Sequence, residues 1–161
     1  YKVNPPLRTE SDVHALREAL ADGTIDIVAT DHAPHPTESK ECEWQEAAFG
    51  MLGLETALSI VQKTMVDSGL MSWSQVADRM SYAPAAIGGY EEQGQKLVKG
   101  SFANLVVINP TKLWRVDRDL VLSNSSNTPY HGHELPGVVE HTVFKGKQTL
   151  INGQISQGGG K

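Results

Sequence analysis

Apolar side chains fall at Val13, Leu16 and Leu20, with Ala15, Ala19 and Ala21 between them, after a polar cluster from Thr9 to Asp12 and before Gly23. That spacing, with cap residues ahead and glycine behind, predicts a helix of about three turns. Upstream, Asn4-Pro5-Pro6-Leu7 must be extended, because each proline bars the residue before it from the helical region. Asn4 is thereby placed in a strand end or loop. Downstream, Ile25-Asp26-Ile27-Val28-Ala29-Thr30 is a short run rich in β-branched residues, stopped at Asp31-His32-Ala33-Pro34-His35-Pro36 by two prolines.

Residues 37–48 are polar and without period, which predicts a long loop over the end of that strand. From Gly50 to Gly69 the residues Leu52, Leu54, Leu58, Ile60, Val61, Met65 and Val66 predict a largely apolar helix that packs on a sheet. Ser72 caps a further helix through Val76 and Met80 that should stop near Pro84. Strand and helix alternate to about residue 88, which favours an α/β class.

Beyond that point the texture changes. Glycines and Asn104 punctuate the chain, and Leu105 to Ile108, Val138-Val139, His141 to Phe144 and Thr149 to Ile151 read as short strands. Lys145-Gly146-Lys147 and Asn152-Gly153-Gln154 are predicted to be connecting turns. The chain thus divides into residues 1–92, α/β in character, and residues 93–161, a β-rich segment ending in a flexible glycine-rich tail.

Composition narrows the function classes. The 161 residues are 39% hydrophobic and 20% charged, as in an ordinary soluble domain, and the net charge of -5 is spread without runs. No basic stripe suits nucleic acid or an anionic membrane surface. A single cysteine, Cys42, cannot form an internal disulfide or a cysteine-cluster metal site, so a reducing, cytoplasmic setting is the expectation. No stretch is apolar enough to span a membrane, and the start reads as mid-protein sequence without a leader pattern.

The chemistry concentrates at the end of the predicted strand 25–30. A carboxylate and two imidazoles, Asp31, His32 and His35, follow it directly, and in parallel α/β folds the C-terminal strand ends carry the reactive groups. An aspartate there can ligate a divalent metal and move a proton; the bland alternative is a loop cap made to nearby N–H groups. Asn4 read alone is a loop residue, and Gly50 a turn or helix-start glycine.

Thr30-Asp31-His32-Ala33-Pro34-His35, preceded by Asn4-Pro5-Pro6-Leu7-Arg8 and followed by Ala48-Phe49-Gly50 and Leu52-Gly53-Leu54-Glu55-Thr56, resembles the longer-chain bacterial dihydroorotases of the cyclic amidohydrolase superfamily. Gly100 to Val107 and Ser126-Asn127-Thr128-Pro129-Tyr130 extend the likeness over nearly the whole chain. The resemblance implies the C-terminal part of a TIM-like (β/α)8 metallohydrolase barrel followed by a small β-sandwich segment. A whole barrel needs about 250 residues, so this chain would hold only the last barrel strand and the segments C-terminal to it. It also implies two zinc ions per complete subunit, with most ligands on sequence outside this chain.

Carried over by position, Asp31 matches the catalytic, metal-binding aspartate that takes a proton from the attacking water and returns it to the leaving ring nitrogen. Asn4, His35, Phe49 and Gly50 match substrate-binding positions. The substrates implied are N-carbamoyl-L-aspartate and dihydroorotate, interconverted with loss of water in pyrimidine (UMP) biosynthesis. His32, next to Asp31, is either a direct participant or a structural hydrogen-bonding group. His131-Gly132-His133 mimics a metal-binding pair, yet the resemblance predicts no ligand there, and Cys42 has no matched role. Ala83-Pro84 departs from the Asn-Pro that relatives commonly carry.

The rival expectations are a sister enzyme of the allantoinase or dihydropyrimidinase kind, or a non-catalytic homologue that scaffolds aspartate transcarbamoylase. His35 counts against the first, since an imidazole suits a substrate carboxylate that hydantoin-type rings lack, and the retained Asp31 counts against the second. The expected partners are the substrate, the missing N-terminal part, and a second copy or aspartate transcarbamoylase. Without that N-terminal part the chain should be unstable or inactive, because strand 25–30 and helix 50–68 would bare apolar faces.

Overall fold

The computed structural model describes residues 1–156; the expected flexible tail beyond Ser156 lies outside the described residues. Helix α1 runs Glu10–Asp22 and opens on a reciprocal cap, in which Thr9 Oγ1 accepts the Asp12 N–H and Asp12 accepts the Thr9 N–H. It closes at Gly23, which adopts φ 94°. A one-turn helix α2, Thr37–Lys40, interrupts the predicted loop 37–48.

Among the described residues segment 25–30 joins no ladder, which corrects the strand predicted there. A strand needs a neighbour to take its N–H and C=O groups, and among the described residues Val28 finds only the Arg79 carbonyl, at 3.1 Å. A single parallel bridge, His32 to Met51, forms just beyond the run. Ile25, Ile27 and Val28 are half-buried, so the expected bare face is partly covered. The large exposed apolar side chains lie elsewhere, among them Leu97, Leu120 and Leu122.

The helix predicted over 50–69 begins later. Residues 50–53 stay extended beside the Asp31 loop, helix α3 spans Ala57–Val61, and a wider π turn follows over Gln62–Val66. Helix α4, Trp73–Ala77, has a capping box from Ser72 and Gln75 and also runs into a π turn, Asp78–Tyr82. Pro84 does not end the helix as predicted. It sits in the first turn of helix α5, Ala83–Gly88. The π turn just before it already displaces the bonding register, with Ala83 N–H reaching back to the Asp78 carbonyl, which relieves the bond and clash a proline would disturb.

Val61, Met65, Met71 and Val76 form the buried core, flanked by Leu20 and Ala21 of α1, by Val28, and by Leu58, Val66, Trp73 and Met80. Each such side chain contributes about 1.5–3 kcal/mol on full burial, as an upper figure. This core ties α1, the 25–30 segment and the two long helical stretches together, and so sets where Asp31 emerges.

Strands β1 Leu105–Arg115, β2 Glu134–Phe144, β3 Lys147–Ile151 and β4 Gln154–Ile155 make one four-stranded antiparallel sheet in sequential order. Both predicted turns are present, with positive φ at Lys145 and Gly146 and at Asn152 and Gly153, the geometry that two-residue hairpins demand. β1 is longer than predicted because it continues through Pro110 across register shifts. A second sheet, which a sandwich requires, is not formed among the described residues.

Sheet and helices are joined by a small polar cluster. Ser59 Oγ donates to the Gly137 carbonyl at 3.0 Å and accepts Trp114 Nε1–H at 3.0 Å, while Gln62 Nε2 donates to the Pro110 carbonyl at 2.7 Å. Gly137, at φ 82°, lies so close to Gln62 that a Cβ would collide with its Oε1.

Candidate active site

Asp31 follows the extended segment at φ 45°, a left-handed conformation that aspartate tolerates better than most residues. Its side chain is exposed on the wall of a groove of about 260 Å³ lined also by Val3, Thr30, Met51, Gly53 and Tyr130. Burial pushes the Tyr130 hydroxyl above its ordinary pKa. No salt bridge of the described residues uses the Asp31 carboxylate.

The neighbouring imidazoles are both engaged. His32 Nδ1 accepts the backbone N–H groups of Gly53 at 3.0 Å and Leu54 at 3.3 Å, which settles the structural alternative for that nitrogen. His35 Nε2 lies 2.8 Å from the Phe49 carbonyl and must donate to it, since a carbonyl only accepts. His35 also lines a second recess, of about 160 Å³, with Lys40, Arg118 and Asn127, and Met51 lines both cavities.

The strip Phe49–Gly50 is fixed from several sides. Gly50 N–H donates to the Lys2 carbonyl at 2.9 Å, and its own carbonyl accepts Lys40 Nζ at 2.9 Å. Lys2 Nζ stands 4.6 Å from the centre of the exposed Phe49 ring. Gly50 adopts φ 117°, and a Cβ there would run into the Cβ of Ala33, so glycine is required on two counts.

The structure therefore brings His35, Phe49 and Gly50 into direct contact and sets Asp31 in the adjoining groove. Asn4 is exposed, next to Val3 on the rim of that groove. Asn127 is the residue whose role sequence reasoning misses, although it lies within the Ser126–Tyr130 motif. Its side chain bonds both the Asp31 loop and the Gly50 strip.

Asp31 is the one side chain of the predicted set suited to hold a divalent cation. No group of three His, Cys, Asp or Glu side chains converges among the described residues. An exposed carboxylate at a groove wall fits the part of one ligand in a larger set, and His32 Nδ1 and His35 Nε2, already bonded, do not add to it. In the other suspect pair, His131 Nδ1 accepts the Arg118 N–H at 3.1 Å and the His133 ring meets Tyr130 edge-on, centroids 6.0 Å apart. Cys42 is exposed, its thiol 3.8 Å from the Ser39 carbonyl.

Residues 3–149 match the amidohydrolase family. Over 156 residues the chain is 61% identical to a dihydroorotase of Streptomyces coelicolor, covering 97% of this chain and 36% of that protein. It is 50% identical over 154 residues to a dihydroorotase of Mycobacterium tuberculosis, covering 96% and 36%. The chain thus spans about a third of the length of the curated relatives it matches. Among solved structures, the L-hydantoinase (dihydropyrimidinase) from Arthrobacter aurescens superposes with a TM-score of 0.89 at 31% identity, covering 96% of this chain and 35% of that one. The D-hydantoinase (dihydropyrimidinase) from a Thermus species does so at 0.88 and 29%, covering 100% and 36%.

Proposed function

The chain belongs to the amidohydrolase family, and from that membership we propose that the protein it forms part of is a dihydroorotase, interconverting N-carbamoyl-L-aspartate and dihydroorotate. The observation that carries this reading is the 61% identity with a dihydroorotase over nearly the whole chain. The solved hydantoinases support the shared fold at about half that identity.

Asp31 serves as proton carrier and as one ligand of the metal centre. In the hydrolytic direction it takes the proton of the water that adds to the ring amide carbonyl. As the carbon–nitrogen bond breaks, it delivers that proton to the ring nitrogen, leaving the carbamoyl group on the open chain. Bound zinc, two ions in the complete subunit, would polarise the carbonyl and lower the pKa of water toward about 7.

His35, Phe49, Gly50 and Asn4 form the substrate-binding side. Because His35 Nε2–H is already committed to Phe49, holding a substrate carboxylate requires the doubly protonated ring, with both nitrogens donating. In the Phe49–Gly50 backbone the Gly50 N–H and both carbonyls are already bonded, which leaves the Phe49 N–H to meet the ring imide. The division at residues 92 and 93 and completion of the sheet into a sandwich by the remaining sequence belong to the same reading. So do a cytoplasmic setting and a second copy or aspartate transcarbamoylase as partner.

The test is zinc content and dihydroorotate hydrolysis by the complete protein, with hydantoin as a competing substrate, beside Asp31→Asn. Turnover of dihydroorotate that the substitution abolishes while zinc is largely retained supports the assignment. Preference for hydantoin would move the protein to the hydantoinases, and an inactive, metal-free protein to the scaffold reading.

A further inference from the structure

Asn127 lies in the long connection between β1 and β2, far in sequence from the Asp31 loop, and yet it is the joint at which the parts of the candidate site meet. Its Oδ1 accepts the His35 N–H at 3.2 Å. Its Nδ2 donates to the Ala33 carbonyl at 2.9 Å and, more weakly, to the Gly50 carbonyl at 3.4 Å. Its main-chain carbonyl accepts the Leu52 N–H at 3.2 Å. One half-buried side chain therefore uses both ends of its amide to join residues 33–35 to Gly50, and its main chain adds the bond to Leu52.

The clamp adds to the contacts that join the two segments, among them His32 Nδ1 with the Gly53 and Leu54 N–H groups. The segments also share the short parallel contact at His32 and Met51, the Ala33 N–H bond to the Met51 carbonyl at 2.9 Å, and the His35 bond to Phe49. Ala33 and Gly50 also touch so closely that no side chain fits at Gly50, so a small shift of either segment is transmitted to the other. An amide is the group that fits: an acceptor for one N–H and a donor for two carbonyls.

We propose that Asn127 is a positioning residue for substrate binding, fixing the distance between His35 and the Phe49–Gly50 strip; its kinetic consequence rests on the dihydroorotase reading. It does not bond the Asp31 carboxylate, so its loss weakens substrate capture and leaves the proton transfer intact. Aspartate at this position keeps the shape and the acceptor for His35 but loses both N–H donors and sets a negative charge against two carbonyl oxygens.

The experiment is a comparison of Asn127→Asp with the complete zinc-loaded protein. KM for dihydroorotate should rise about tenfold, the scale of a lost hydrogen bond to a carbonyl or charged group, with kcat within about twofold and zinc content unchanged. Unchanged KM, or a loss of activity that follows the fall in zinc or in Tm, overturns the proposal. An activity-independent readout accompanies it: in Asn127→Ala, amide exchange should quicken about tenfold both at Ala33 and His35 and over residues 49–53 while β1 and β2 stay protected. Unchanged exchange in either segment overturns the clamp even in an active enzyme. If the complete protein does not turn over dihydroorotate, the functional reading fails and the exchange result decides the clamp by itself.

Discussion

Gly53 donates its backbone N–H to His32 Nδ1 at 3.0 Å, and the adjacent Leu54 N–H converges on the same nitrogen at 3.3 Å. The imidazole next to the catalytic candidate thereby anchors the start of the helical segment to the Asp31 loop.

Replacement of His32 by phenylalanine keeps a ring but removes the acceptor for both N–H groups. The partly buried Gly53 N–H left unpaired costs about 1–3 kcal/mol, the exposed Leu54 N–H less because water can replace its partner, so the complete protein should lose several degrees of Tm. Zinc bound per subunit should fall far less than in a variant lacking a ligand. Metal analysis beside thermal unfolding checks this, and loss of zinc with unchanged Tm would make His32 a ligand instead.

Gly50→Ala should impair the site more than an ordinary surface change. The new methyl would strike Ala33, and the residue would hold φ 117° against its preference. A displacement on the order of 1 Å at a positioning segment can reduce turnover about a hundredfold. Steady-state kinetics with dihydroorotate, beside Gly69→Ala as a positive-φ control with open space around it, separates local collision from general backbone strain.

The helix–sheet joint gives a stability prediction away from the site. Ser59 is buried and satisfies Trp114 Nε1–H and the Gly137 carbonyl at once. Ser59→Ala leaves both without that partner, for a loss of about 1–3 kcal/mol. Chemical denaturation of the complete protein measures it. Restoration by pairing the change with Trp114→Phe, which removes the orphaned donor, would show that the lost bond and not the lost volume is responsible.

Acid should loosen the start of α1. The Thr9 hydroxyl and then the Thr9 N–H hold the Asp12 carboxyl below its ordinary pKa. A group whose pKa is depressed on folding contributes stability that is complete above its unfolded value, about 4, and lost as pH falls through the folded value. Asp12→Asn removes that dependence. The difference in Tm between parent and variant should therefore shrink as pH is lowered from about 6 toward 3, and a constant difference would remove the carboxylate from the account.

Much is legible in the chain because it depends on near neighbours. The cap at Thr9 and Asp12, the stop at Gly23, the capping box at Ser72 and the hairpin turns at Lys145-Gly146 and Asn152-Gly153 all follow from side chains a few residues apart. The Asp31 motif is legible for a different reason, its resemblance to a family. Pro84 misleads because a proline forbids an ordinary helical bond, whereas the π turn before it removes the demand for that bond.

The sequence by itself determined the local conformations and the candidate chemistry, since propensity, capping and turn geometry are short-range. Only the tertiary structure decided what the polar groups are free to do. It committed His32 to Gly53 and Leu54 and turned His35 toward Phe49, because those outcomes depend on which distant backbone groups arrive beside each side chain. Asn127 shows the division most sharply: read along the chain it is a loop asparagine, and its bonds to residues 33, 35 and 50 exist only because the β1–β2 connection folds back over the site.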